Sequence, residues 1–135
     1  MKAITVPAIL EQLGTVNSFI VSELDAADCS AKTRIQIETA VEEIYVNIAR
    51  YAFHPDIGEA TVHCEVGGDP LQVTIQFMDC GKPFNPFDKK DADTALSAEE
   101  RDIGGLGILM VKKSMDAVDY VYKDGKNILT IKKKI

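Results

Sequence analysis

The sequence LQVTIQFMDCG occupies residues 71–81. Every second residue from Leu71 to Phe77 is apolar and the residues between them are polar, which predicts a β-strand with one buried face. Asp79 has the parity of the apolar residues, so the pattern continues the buried face with a carboxylate. A buried carboxylate needs hydrogen-bond donors. Two interpretations stay open: Asp79 caps the following turn through backbone N–H groups, or it accepts an N–H group of a ligand.

The segments on either side of this strand complete an α+β pattern. Residues 61–66 alternate in the same way, and Gly67–Pro70 predicts the turn of a hairpin. The other predicted elements are a strand at Lys2–Val6, helices at residues 8–24, about 28–53 and 106–114, and strands at residues 118–122 and 128–135. This order favours a two-layer α/β sandwich, with a mixed or antiparallel sheet covered by helices on one face.

The second predicted helix carries a polar pair beside its apolar stripe. Ile37, Val41 and Ile44 fall on one stripe at helical spacing. Glu43 and Asn47 are four residues apart, so they are neighbours on one face at the border of that stripe. The pair is either a solvated helix shoulder or a functional site. In the second case, the amide oxygen of Asn47 suits Mg²⁺ and the carboxylate of Glu43 can accept a proton from a hydroxyl group or water.

A glycine cluster precedes the third predicted helix. Residues 104–107 have the sequence GGLG and lead into the apolar run Ile108–Val111. Backbone N–H groups at a helix start, without side-chain bulk, form an anion site that suits phosphates. The alternative is an ordinary glycine-rich loop end, and the spacing matches neither a Rossmann turn nor a P-loop. Residues 82–103, which come before it, have no periodicity and predict a long mobile loop.

The composition argues against several classes of function. The chain has 135 residues, 46% of them hydrophobic and 27% charged, which predicts a single soluble domain over residues 1–135. Its net charge of −6 argues against nucleic acid and anionic membranes as partners, and the basic run Lys132–Lys134 is expected to blunt an exposed strand edge. Three widely spaced cysteines and two histidines give no zinc pattern. The lack of a signal peptide or membrane-spanning stretch predicts a cytoplasmic protein.

Taken together and in this order, the three motifs resemble the GHKL ATPase superfamily with its Bergerat fold. ExxxN at Glu43–Asn47 lies on a helix, DxGxP within Asp79–Phe84 follows a strand, and the glycine box Gly104–Gly107 follows the long loop. The resemblance covers nearly the whole chain. It is closest to the stand-alone anti-sigma-factor serine/threonine kinases, because the chain is short and contains DxGxPFNP and GGLGI followed by a helix.

The resemblance implies a role for each motif. Glu43 would be the catalytic general base that activates the acceptor hydroxyl, and Asn47 would bind the Mg²⁺ ion at the ATP phosphates. Asp79 would accept an amino hydrogen of adenine, and Gly81 would shape the adenine pocket.

The implied phosphate contacts come from the glycine box. Gly105, Leu106 and Gly107 would hold phosphates at the helix start and hinge an ATP lid over residues 82–103. Thr130 would help to position adenine through a water molecule. Two questions about the phosphate contacts stay open. One is whether Arg50 or Arg101 contacts a phosphate, and the other is which of Gly104 and Gly105 does.

The function that the resemblance implies is that of an ATP-dependent protein serine/threonine kinase. It would transfer the γ-phosphoryl group of ATP to a small regulatory partner, an anti-sigma-factor antagonist of the STAS type. A sigma factor is a second implied partner, and we expect a homodimer. Two alternatives stay open: a nucleotide-regulated binding module that switches partners without significant phosphoryl transfer, and an α+β domain without a nucleotide site.

Overall fold

The computed structural model describes residues 2–53, 56–88 and 105–135, which form one sheet with helices packed on one face. The strands are β1 (Lys2–Pro7), β2 (Glu59–Gly67), β3 (Gln72–Asp79), β4 (Ala117–Lys123) and β5 (Lys126–Lys134). The helices are α1 (Leu13–Ala26), α2 (Ala31–Asn47) and α3 (Gly105–Ser114). The strand order is β1-β2-β3-β5-β4, with antiparallel pairing throughout. The predicted α+β sandwich is therefore confirmed.

The core lies between the helices and the sheet, where the predicted periodicities place it. The side chains of α2 and β3 that are at most 1% exposed are Ile37, Ala40, Val41, Ile44, Tyr45, Val73, Ile75 and Phe77. Burial of these apolar side chains is the main favourable term in the stability of such a domain. Leu71 departs from the predicted alternation, because it lies in the turn before β3 and is 39% exposed.

The second helix begins as predicted but ends differently. Ser30 caps it, since its Oγ accepts a hydrogen bond from the backbone N–H of Thr33 at 3.3 Å. The helix predicted to reach Phe53 is α-helical only to Asn47 and continues as a π-helical turn, Ile48–Ala52. A π-turn moves backbone carbonyl groups out of the α-helical register. Here the carbonyl of Ala52 accepts a hydrogen bond from the backbone N–H of Lys82 at 2.9 Å.

The last hairpin places β5 inside the sheet. Asp124 and Gly125 have φ angles of 55° and 76°, as a type I′ turn between antiparallel strands requires. Because β5 lies between β3 and β4, the expectation that Lys132–Lys134 blunts an exposed strand edge is wrong. Lys133 Nζ instead donates a hydrogen bond to the carbonyl of Ser114 at the end of α3, at 2.7 Å.

The predicted ATP lid is described only in part. Of residues 82–103, the structure describes residues 82–88, which include a 3₁₀ turn at Pro86–Asp88. Arg101 and Gly104 lie outside the described residues. Within the three described ranges, no helix combines the length and the apolar character needed to cross a bilayer.

Candidate functional site

A pocket lies between the C-terminal end of α2 and the ends of β3 and β5. It holds about 390 Å³ of empty space, counting the open solvent at its mouth. Ile44, Phe77 and Leu129 contribute to an apolar wall. Asn47 and Asp79 line the same pocket. The structure therefore brings the helix motif and the strand motif to one cavity.

Asp79 ends β3 on the buried face, as its parity predicts, and is 6% exposed. Its Oδ1 accepts hydrogen bonds from the backbone N–H of Gly81 and from Asn127 Nδ2, each at 2.9 Å. The bond from Gly81 caps the turn after β3, which is the first of the two interpretations that the sequence left open. Both bonds from the described part of the chain end on Oδ1. Oδ2 is therefore the oxygen that remains to accept a hydrogen bond from a ligand.

Asn47 is the last residue of α2 and is 8% exposed. Its Nδ2 donates a hydrogen bond to the backbone carbonyl of Glu43 at 2.7 Å. That carbonyl can only accept, so the bond fixes which end of the amide faces the helix. The amide oxygen is the atom that remains available to a hard cation.

Glu43 lies directly against the first turn of α3. A Cβ atom at Gly107 would lie 2.0 Å from Glu43 Oε2, so a residue with a side chain does not fit there unless Glu43 moves. Gly105 and Leu106 precede Gly107 in the same helical turn, so the predicted glycine box does open a helix. Burial raises the pKa of the Glu43 carboxyl group, and the negative charge of Glu42 raises it further.

Gly81 contacts the π-helical turn of the chain itself. A Cβ atom at this position would lie 2.3 Å from the backbone oxygen of Ala52. The sequence resemblance implied that Gly81 shapes the adenine pocket. In the structure, position 81 requires a glycine because the backbone of Ala52, a residue that lines the pocket, lies against it.

Glu43, Gly81 and Gly107 are not among the described residues that line the pocket, and two further residues considered from the sequence, Thr130 and Arg50, are also absent from its lining. Thr130 is on the opposite face of β5 from Leu129, and its Oγ1 accepts a hydrogen bond from Gln76 Nε2 at 3.3 Å. The structure therefore does not bring Thr130 to the pocket. Arg50 lies half-buried in the π-helical turn and is not among the described residues that line the pocket.

Asn127 is the residue of the pocket that the sequence analysis missed. Among the described residues, the buried polar or charged side chains are Asn47, Asp79 and Asn127, and all three line this pocket. The available signal was parity: Asn127 alternates in phase with Leu129 and Ile131, whose side chains face the core. A polar residue in that phase is the same pattern that marked Asp79.

Comparison with known families agrees with this geometry. Residues 6–133 match the family of histidine kinase-like ATPase domains. The chain belongs to this family. The resemblance to the GHKL superfamily is thereby confirmed, and membership assigns ATP as the ligand of the domain. The alternative of an α+β domain without a nucleotide site is wrong.

Named relatives of the chain are protein kinases. It is 28% identical over 102 residues to the serine/threonine-protein kinase BtrW of Bordetella bronchiseptica, a match that covers 76% of the chain and 71% of the relative. It is 31% identical over 101 residues to the serine-protein kinase RsbW of Listeria monocytogenes, with 71% and 63% covered. It is 24% identical over 98 residues to RsbW of Bacillus cereus, with 71% and 61% covered. The chain thus spans less than two thirds of the length of both RsbW relatives.

The raised pKa of Glu43 predicts that its negative charge lowers stability at neutral pH. The folded state binds this proton more tightly than the unfolded chain does, so stability is lost as the pH rises from the unfolded pKa through the folded one. We therefore expect Glu43→Gln to raise the melting temperature of the metal- and nucleotide-free protein at pH 7. The gain should disappear below about pH 4, where both states carry the proton. Thermal melts from about pH 3 to about pH 8 measure both effects.

The matched control is Glu65→Gln, which removes an exposed carboxylate from β2. We expect a much smaller change in melting temperature there. If Glu43→Gln gave the same gain at every pH, the charge of Glu43 would not be its cause.

Proposed function

We propose that the chain is an ATP-dependent protein serine/threonine kinase that transfers the γ-phosphoryl group to a small regulatory partner protein. The observation that carries the proposal is the contact between Glu43 and Gly107, which sets a carboxylate against the first turn of α3. A proton acceptor thus lies beside a helix start of the kind that suits phosphates. The kinase names of the relatives support the same activity.

The residues of the pocket fit ATP together with Mg²⁺. The amide of Asn47 is held by its nitrogen, so its oxygen is available to a cation that prefers oxygen ligands. Oδ2 of Asp79 can accept a hydrogen bond from the adenine amino group, and the apolar wall around it suits a purine ring. When bound, Mg²⁺ would supply positive charge that stabilises the phosphoryl group in transfer.

In the proposed reaction the protein positions the reactants and moves one proton. Asp79 orients the base, and the backbone N–H groups of Gly105–Gly107 contact the phosphates. Glu43 accepts the proton of the partner's serine or threonine hydroxyl while that oxygen bonds to the γ-phosphorus and the bond to ADP breaks. The raised pKa of Glu43 makes its carboxylate a stronger base than that of an exposed glutamate.

The proposed partner is a protein that presents a serine or threonine hydroxyl to this site. The sequence resemblance supports an anti-sigma-factor antagonist of the STAS type as the acceptor and a sigma factor as a second partner. The same resemblance supports a homodimer, and the three free cysteines fit a reducing compartment such as the cytoplasm.

Phosphoryl transfer from γ-labelled ATP tests the proposal. The chain is incubated with labelled ATP, Mg²⁺ and each candidate partner encoded beside its gene, and the proteins are then separated. We expect one partner to carry label on a serine or threonine. Nucleotide-dependent binding of a partner without any labelled product would instead favour the regulated binding module.

Asn47→Ala tests the proposed Mg²⁺ ligand. Without the amide oxygen, we expect ATP affinity measured in Mg²⁺ to fall about 10- to 100-fold. Affinity measured in a metal chelator should stay close to that of the wild type. Calorimetric titration under both conditions gives the two values, and Asn17→Ala on α1 is the control that should change neither. An equal loss with and without metal would contradict the role of Asn47.

A further inference from the structure

Asn127 uses all of its hydrogen-bonding capacity within the protein. It is 6% exposed at the start of β5. Its Nδ2 donates to Asp79 Oδ1 at 2.9 Å and to the carbonyl of Lys82 at 2.8 Å. Its Oδ1 accepts from the backbone N–H of Phe84 at 3.1 Å and from the hydroxyl of Tyr120. Two donor hydrogens and two acceptor lone pairs are thereby engaged, so any effect of Asn127 on a ligand passes through its neighbours.

The main chain of the loop after β3 determines which way the amide of Asn127 faces. The Phe84 N–H can only donate, so it requires the amide oxygen on its side. The Lys82 carbonyl can only accept, so it requires the nitrogen. Both contacts act in the same sense, and together they present the nitrogen of Asn127 to Asp79.

This orientation decides which oxygen of Asp79 a ligand meets. Asn127 Nδ2 and the backbone N–H of Gly81 both donate to Oδ1, one side-chain and one main-chain donor at 2.9 Å. Two donors on one oxygen oppose rotation of the carboxylate. Oδ2 is then the oxygen of Asp79 that remains to accept a hydrogen bond from a ligand in the pocket that Asp79 lines.

We propose that Asn127 is a positioning residue for base selection, which holds Asp79 so that the pocket prefers adenine to purines without a 6-amino group. The proposal rests on the proposed ATP site and deepens it. A 6-oxopurine such as hypoxanthine presents an acceptor where adenine presents a donor, so it leaves the buried oxygen of Asp79 unpaired. That penalty depends on Asp79 keeping its orientation.

The test compares the dissociation constants of ATP and ITP, which differ at position 6 and position 1 of the base. Asn127→Asp keeps the shape of the side chain and an oxygen for Phe84 and Tyr120. It replaces the donor nitrogen with an oxygen that repels the carboxylate of Asp79. We expect the preference for ATP over ITP, measured by calorimetry, to fall about tenfold or more.

The ratio of the dissociation constants of ATP and ITP separates a positioning role of Asn127 from a purely structural one. A residue that only stabilised the fold would weaken both nucleotides equally, and an unchanged ratio in Asn127→Asp would overturn the inference. If Asn127→Asp does not fold, Asn127→Leu provides the same comparison without the added charge. Gln76→Leu is the matched control, because it also removes an amide from the β3–β5 pair, but on the opposite face of the sheet. Its ratio should equal that of the wild type.

The same experiment distinguishes this inference from the proposed function. A wild-type protein that bound ATP and ITP equally would remove the proposed role of Asp79 and the inference with it. A wild-type preference that survived in Asn127→Asp, or in Asn127→Leu if the first variant does not fold, would overturn the inference alone.

Discussion

Glu43→Gln is expected to abolish phosphoryl transfer while leaving ATP affinity close to that of the wild type. Glutamine has nearly the size of glutamate and can occupy the same place against Gly107, but it cannot accept the proton of the acceptor hydroxyl. Loss of a general base lowers a rate by about 10²- to 10⁴-fold. Initial rates of partner labelling at saturating ATP measure the loss, and calorimetry measures ATP binding.

The control for this prediction is the neighbouring carboxylate. Glu42 is exposed, so Glu42→Gln should retain transfer. Partner labelling by Glu43→Gln at the wild-type rate would exclude Glu43 as the base. A parallel loss of ATP affinity and rate would show that the carboxylate contributes to binding as well as to the chemical step.

Gly107→Ala is expected to lower the transfer rate about 100-fold through Glu43. The new methyl group would lie 2.0 Å from Oε2 and 2.2 Å from Cδ of Glu43, far inside contact distance, so the carboxylate must leave its position. The colliding atoms are the far end of a flexible side chain, so the fold can absorb the change. A displacement of about 1 Å at a reacting group is enough for a loss of this size. Rates and melting temperatures, measured side by side, should show a large kinetic effect and a small thermal one.

A double-mutant cycle tests whether Gly107 acts through Glu43. In Glu43→Gln the carboxylate is already absent, so displacing the side chain of residue 43 has no further effect on the rate. Gly107→Ala combined with Glu43→Gln should therefore be no slower than Glu43→Gln alone. Losses that multiply would instead assign Gly107 an independent role at the phosphates. Gly14→Ala is the control for glycine replacement in a helix, because a Cβ atom there has no neighbour within 4 Å.

Local periodicity was sufficient to predict the elements and two of the three buried polar residues of the site. The alternation before Asp79 gave its buried orientation, and the spacing of Glu43 and Asn47 on α2 placed them together. These are properties of single strands and helices, which repeat every two or 3.6 residues. They could therefore be obtained without any knowledge of how the elements pack.

The sequence analysis failed where the position depends on packing between distant elements. The pairing of Asp79 with Asn127 follows from the register of β3 against β5. A shift of one residue exchanges the two faces of a strand, so the pairing cannot be read from β5 alone, and Asn127 was overlooked. Thr130 was named from the family resemblance and lies on the other face of β5. The place of Lys132–Lys134 inside the sheet depends on strand order, which no local pattern contains.

The π-helical turn at Ile48–Ala52 makes the length of this stretch as important as its composition. It connects Asn47 to the carbonyl of Ala52 that meets the N–H of Lys82. Removing one residue would rotate everything after it by about 100° and aim another carbonyl at Lys82. Point substitutions that preserve volume should be tolerated here far better than an insertion or deletion, and alignments of related chains should keep this stretch free of gaps.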